Sequence, residues 1–329
     1  MNTTPSSAQH VTSTTSDPSR ADHDQKQVDA THRIPAPGER ALVLHGGGSA
    51  GNAWEIGVLA GLANAGLDVT TADLTIGTSA GATVAAQLTT ATAADLLAAI
   101  LSAAPPRQTG PAGSGGPIGP VANHMEVTQR IIAAAENTAD MRRRMGAAAL
   151  DLDAASDGSG AARWRATVAA RLPGAHWPER TVLITAVDAR TGQPVVFDRH
   201  SGVDLVDAVA ASTSNGFGVP PAVIGGDRYI DGGYRRNENA DLAAGFARVL
   251  VLSPFSGRTR HPLESGMQLA AQVEELRAGG SRVETVFPDD AALTAFGSNV
   301  MDPSTRPPAA RAGYDQGKAL AEQLAAFWR

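Results

Sequence analysis

Twice within fifty residues the chain runs from a short apolar segment through a glycine-rich turn into a helical segment. Arg40-Ala41-Leu42-Val43-Leu44 ends in Gly46-Gly47-Gly48, and Ala53 to Ala65 then reads as a helix with Trp54, Val58, Leu59 and Leu62 on one side and Gly66 as its stop. Leu74-Thr75-Ile76 ends in Gly77-Thr78-Ser79-Ala80-Gly81, and Ala82 to Thr90 continues as an alanine-rich helix. Parallel strands need crossover connections of this kind, so the repetition predicts an α/β fold with a mostly parallel central sheet.

The rest of the chain extends this pattern. Residues 1–38 are rich in Ser, Thr, Asp, Gln and Pro without an apolar period, which predicts a disordered tail before a single domain over 39–329. Residues 103–120 are dominated by Gly and Pro and are expected to form a mobile loop, with 105–120 a candidate lid or an ordinary surface insertion. Helices are predicted over Val121–Glu136, Ala139–Leu150, Asp204–Ser212, His261–Ala278 and Ser304–Trp328, with a loop over Asp151–Gly160. Strands are predicted at Thr181–Val187, Pro194–Phe197, Tyr229–Ile230, Arg248–Leu252 and Val283–Phe287.

Composition removes several functions. There are no cysteines, so disulfides, thiolate metal sites and cysteine catalysis are excluded together. Net charge is −6 and Lys26 and Lys318 are the only lysines, a poor basis for nucleic-acid binding, which depends on concentrated cations. The basic run Arg142-Arg143-Arg144 reads as a solvated helix face, or as a transient contact with anionic lipid headgroups. No stretch of 18 apolar residues and no secretory leader is apparent, which makes the cytoplasm the expected location. No calcium-loop spacing occurs, and neither metal nor cofactor is expected.

Three segments carry candidate chemistry. Gly77-Thr78-Ser79-Ala80-Gly81 is a G-x-S-x-G between a strand and a helix, where a sharp turn would hold the Ser79 hydroxyl outward and small neighbours let the turn close. In His45-Gly46-Gly47-Gly48-Ser49, consecutive glycines leave backbone N–H groups free to face an anion, either a phosphate or the oxyanion of an acyl-transfer intermediate. No phosphate-binding G-x-x-x-x-G-K-[ST] is present, and Ser79 lies only 31 residues beyond Gly48, which favours the oxyanion. The third segment is Asp231-Gly232-Gly233, read alone as a turn. Each segment ends a predicted strand, and in a parallel sheet those ends share one edge.

In this order the segments resemble the patatin-like phospholipases. The resemblance extends from about Arg40 to the C-terminus and includes Ala210–Ser214, Val219-Pro220-Pro221 and Asn239-Ala240-Asp241-Leu242. It implies a three-layer α/β/α fold and a Ser-Asp dyad acting on acyl esters of lipids, with no cofactor. Ser79 would be the nucleophile and Asp231 its base. Backbone N–H groups around Gly46, Gly47, Gly48 and Ser49 would form the oxyanion hole, with Gly77, Gly81, Gly232 and Gly233 shaping the turns. Two departures stand out. Many members carry a basic residue in the glycine loop, where this chain has Ser49-Ala50, and Ser214-Asn215-Gly216-Phe217-Gly218 lacks the family's usual proline. Oligomeric state is not indicated.

Two other readings use the same residues. His45-Gly46-Gly47-Gly48 also resembles the oxyanion loop of α/β-hydrolase esterases, with Ser79, Asp231 and His261 in the chain order of their triad. A non-catalytic acyl- or phosphate-binding module is the third. Trp54, Phe217 and Val219 are expected either to line an acyl pocket or to pack in the core.

Overall fold

In the computed structural model, the described residues are 28–33, 38–103, 124–174 and 176–329. An eight-stranded sheet runs in the order β5-β6-β3-β2-β1-β7-β8, with β4 paired to β3 off that path. Its members are β1 (Arg40–Leu44), β2 (Leu74–Gly77), β3 (Thr181–Asp188), β4 (Pro194–Phe197), β5 (Ala222–Ile224), β6 (Asp227–Asp231), β7 (Arg248–Leu252) and β8 (Arg282–Val286). The pairs β1–β2, β1–β7, β2–β3 and β7–β8 are parallel, while β3–β4, β3–β6 and β5–β6 are antiparallel.

Both faces of the sheet are covered, as alternation along its central strands requires. Leu42, Leu44, Leu250 and Leu252 point into the larger core, whereas Ala41, Val43, Val249 and Val251 point into a second core on the other face. The larger face carries α1 (Gly48–Asn64), α2 (Ala80–Gln87), α3 (Ala93–Ser102), α6 (Gly160–Arg171), α7 (Leu205–Ser212), α9 (Asp290–Phe296) and α10 (Arg306–Trp328). The other face is covered by the 3-10 turn Ala240–Ala243 and α8 (Leu269–Ala278). The remaining helices, α4 (His124–Ala134) and α5 (Thr138–Ala154), enclose a third cluster of Ile132, Met141, Met145, Phe217 and Ile230. The expected three-layer α/β/α architecture is therefore present.

Several boundaries differ from expectation. Helix α1 begins five residues before the predicted Ala53, directly at the glycine loop. It is buried from Ala50 to Leu62 on every side, so packing compensates the poor helix propensity of its glycines. Its tightest neighbour is α10. A Cβ on Gly57 or Gly61 would lie 2.2 Å from the carbonyl oxygen of Ala310 or Tyr314, and one on Gly313 or Gly317 would lie 2.4 or 2.3 Å from that of Trp54 or Val58. Four glycines at four-residue spacing on two helices thus bring the backbones into contact, as no larger side chain could.

Helices α3, α6 and α9 and strand β5 were not anticipated, and α8 starts at Leu269 rather than His261 because Pro262 and Gly266 interrupt the pattern. Part of the expected tail is ordered: Ala30 is buried with its N–H donating to the Val196 carbonyl at 2.7 Å, and Arg33 pairs with Asp198 at 2.9 Å. Residues 1–27, and the candidate lid at 105–120, lie outside the described residues. Among the described residues no helix is long and apolar enough to cross a membrane.

Candidate active site

Ser79 occupies the turn between β2 and α2 with φ 54 and ψ −118, a positive-φ conformation outside the left-handed helical region that L residues seldom adopt. The strain is held by close packing. A Cβ at Gly81 would fall 2.2 Å from the Leu44 carbonyl oxygen and one at Gly77 would fall 2.7 Å from Ala82 Cα. The Ser79 N–H donates to Ser212 Oγ at 2.9 Å, which fixes the turn against α7.

Asp231 ends β6, and its carboxylate accepts a hydrogen bond from the Gly233 N–H at 2.8 Å, with the Ser79 hydroxyl close enough to favour its ionised form. Asp231 reaches the Ser79 turn by a route other than the shared strand ends inferred from the sequence. Their strands do not end in the same direction, since β6 runs antiparallel to β3. Instead β3 is eight residues long and overhangs β2: Gly77 aligns with Ile184, and Asp231 aligns with Ala186 two residues further on. Strand β6 begins beyond that overhang and runs back toward the sheet, delivering its last residue level with the Ser79 turn.

A buried polar network ties the two turns together from behind. Thr78 and Thr185 hydroxyls lie 2.9 Å apart. Asn239 Nδ2 donates to Thr78 Oγ1 at 3.0 Å and to the Gly232 carbonyl at 3.0 Å, with Thr185 Oγ1 at 3.3 Å. Asn239 itself is left-handed, φ 58. A Cβ on Gly232 would strike Thr185, and one on Gly233, whose N–H bonds the carboxylate, would crowd Asp231 Oδ1 at 3.2 Å. In the sequence, Asn239 and Ser212 stand out only through family resemblance; Thr185 carries no signal, because a buried hydroxyl in a strand looks like any other.

The glycine loop passes directly over the hydroxyl. A Cβ built on Gly46 would sit 3.0 Å from Ser79 Cβ and 3.4 Å from its Oγ. Gly47 caps α1 and Gly48 has φ +62. The N–H of Ala50 is taken by the Val300 carbonyl at 2.9 Å, but those of Gly47, Gly48 and Ser49 meet no acceptor among the described residues. Free N–H groups at a helix N-terminus favour an anion.

Burial tunes the titrating groups. The Asp231 carboxyl is pushed up from 3.8 to about 6, with the Ser79 hydroxyl and Gly233 N–H opposing the rise. His45, buried against Phe255 with ring centroids 6.3 Å apart, is lowered to about 3 and Nδ1 has no partner, so the ring is neutral. The main-chain N–H of His45 donates to Glu55 Oε1 at 2.9 Å, and desolvation holds Glu55 well above the usual carboxylate range. His261 is lowered to about 4 by burial and by Arg260, and no contact joins it to Asp231 or Ser79 among the described residues.

The other expected residues divide between roles. Trp54 is wholly buried, with Nε1 donating to Gln316 at 2.8 Å, and belongs to the core. Phe217 packs in the cluster beside Ile230, next to Asp231 in the chain. The run lacking proline is organised by Asn215, whose Oδ1 accepts the N–H groups of Phe217, Gly218 and Val219 at 3.0, 2.8 and 3.1 Å. Arg143 and Arg144 contact Asp140, and Arg142 donates to the Gly192 carbonyl at 2.9 Å, so all three arginines have internal partners. A cavity of about 340 Å³ opens at the opposite, amino edge of the sheet beside Gly38, Phe246 and Gly280, away from Ser79 and Asp231. Among the described residues no cluster of three or more His, Asp or Glu side chains could hold a metal.

A strained serine at a strand-to-helix turn, with a part-buried carboxylate and unpaired amide donors beside it, sits within a mostly parallel α/β sheet. A model of the patatin-like phospholipase family matches residues 42–244, and the chain belongs to that family. No curated protein matches closely enough to count as a relative. Among solved structures, the crystal structure of type III effector protein ExoU is similar at 14% identity and TM-score 0.33, over 88% of this chain and 54% of that one. The chain therefore spans about half the length of ExoU.

Proposed function

We propose that the protein hydrolyses acyl esters of lipids through a Ser79–Asp231 dyad. The observation that carries this reading is the placement of the Ser79 hydroxyl beside the Asp231 carboxyl, close enough to oppose the rise that burial imposes on it; raised to about 6, Asp231 is a stronger base than a solvated aspartate yet largely ionised at pH 7. Asp231 takes the hydroxyl proton as Oγ attacks the ester carbonyl. The resulting oxyanion is received by the free N–H groups of Gly47, Gly48 and Ser49. As the tetrahedral intermediate collapses, Asp231 returns the proton to the departing alcohol. Water activated by the same carboxylate then cleaves the acyl-serine and releases the fatty acid. The sequence is closed in protons and needs no histidine, metal or cofactor.

Fluorophosphonate labelling and turnover of a lipid panel test the proposal. Wild type should label at Ser79 and release fatty acid; Ser79→Ala should do neither, and Asp231→Asn should lose turnover by about 10³-fold or more. His261→Ala should keep most of the rate. Equal inactivity of His261→Ala and Ser79→Ala in folded protein would establish a triad instead, and a wild type that neither labels nor turns over would leave a binding module.

A further inference from the structure

The glycine loop has no basic side chain, and the first turn of α1 has no charged residue that could serve there. A cation nevertheless reaches it from the far end of the chain. Arg306, the first residue of α10, donates Nη1 to the Ser49 carbonyl at 3.3 Å and to Asn52 Oδ1 at 2.8 Å. Asn52 is buried, and its Nδ2 donates to the carbonyl of Ala80, the residue after Ser79, at 3.4 Å. One guanidinium and one carboxamide thus connect the loop expected to hold the oxyanion with the turn holding the nucleophile.

The electrostatics of this arrangement are unfavourable at rest. Arg306 is half-buried and pairs with no carboxylate among the described residues. The charge felt most beside it is another cation, Arg171. It also lies against the N-terminal turn of α1, where the peptide dipoles already present positive charge. The Ser49 carbonyl and Asn52 Oδ1 hold the guanidinium there, and negative charge arising nearby would stabilise it further. Its location is secured independently by the interlocked glycines of α1 and α10, which fix the start of one helix against the start of the other.

We propose that Arg306 and Asn52 are a positioning pair that sets the spacing between the glycine loop and Ser79, with the Arg306 charge serving the developing oxyanion in place of a loop residue. This rests on the dyad reading above. Neither residue touches substrate; they act through Ser49, Ala80 and the field at the loop.

The test measures hydrolysis of p-nitrophenyl butyrate and the rate of fluorophosphonate labelling by the full chain. Arg306→Gln should lower kcat and the labelling rate about tenfold to a hundredfold while KM stays within about twofold, because an ångström-scale misplacement acts on the transition state more than on ground-state binding. Arg306→Lys should recover part of the loss by restoring charge, a rescue that a purely structural role would not give. Asn52→Ala should fall to a similar level, and the double variant should be no worse than the poorer single one, as expected of residues acting in one chain of contacts. The pair is overturned if Arg306→Gln keeps kcat within about twofold of wild type. Should that variant not fold, Asn52→Ala, which leaves α10 untouched, decides by the same criterion. If wild type itself shows no Ser79-dependent labelling, the dyad fails and this inference with it, an outcome distinct from an active wild type with indifferent variants.

Discussion

Acidification should switch the site off near pH 6, well above the range of an ordinary aspartate. Burial is the dominant influence on Asp231 and lifts its carboxyl from 3.8 to about 6 against the nearby Ser79 hydroxyl and the Gly233 N–H, which favour the anion. A general base works unprotonated, so about nine sites in ten are competent at pH 7 and about one in ten at pH 5. Below the midpoint kcat/KM should fall roughly tenfold per pH unit. Neither candidate histidine could produce this limb, since His45 titrates at about 3 and His261 at about 4. Glu238, raised to about 7 by burial, could; Glu238→Gln should leave the limb in place if Asp231 is responsible.

The same shift has a consequence for stability. The folded chain holds the Asp231 proton more tightly than the unfolded chain does, so protonation favours the fold. That contribution is complete below 3.8 and is lost as pH rises through about 6, leaving a buried charge as a cost above it. About two pKa units correspond to roughly 3 kcal/mol at the limit. Asp231→Asn, though inactive, should therefore unfold at higher denaturant than wild type at pH 8, with the gap closing toward pH 4. An acid limb centred near 4, or an Asp231→Asn variant less stable than wild type at pH 8, would refute the assignment of a desolvated carboxylate.

Three further outcomes follow from packing. Gly81→Ala places a methyl group 2.2 Å from the Leu44 carbonyl oxygen, so it should destabilise the protein by more than about 3 kcal/mol in chemical denaturation and abolish labelling. Gly317→Leu should separate α1 from α10, lowering the unfolding midpoint and, because Arg306 moves with α10, the rate as well. Asn239→Leu removes the donor shared by Thr78 and the Gly232 carbonyl; it should cost about 2–4 kcal/mol through buried polar groups left unpaired, read by thermal unfolding, and reduce kcat with little change in KM.

Local sequence was sufficient for the parts whose cause is local. The turn at Ser79 was legible because a small-residue pentapeptide after an apolar strand has few other uses, and the mostly parallel sheet because strand-loop-helix units recur. Asp231 was legible as a residue but not in its approach. The sequence gives no direction to β6, and the meeting depends on how far β3 overhangs β2, a matter of pairing register between segments over a hundred residues apart. Helices α3, α6 and α9 were missed for other reasons. Helices α6 and α9 are short and alanine-rich with little periodicity, whereas α3 did offer a Thr92–Asp95 capping box and a Leu96, Leu97, Ile100 stripe that went unread.

The chain by itself determined that a serine would be held in a strained turn, that bare amides would stand nearby, and that no thiol would take part. Those are properties of residues and their immediate neighbours. What only the tertiary structure decided is the environment: how Asp231 approaches the hydroxyl, how dry its carboxyl is, and which cation stands behind the loop. Desolvation and electrostatic fields are sums over everything within several ångströms, and here those neighbours come from β2, β6, the glycine loop and a helix that begins 227 residues after Ser79.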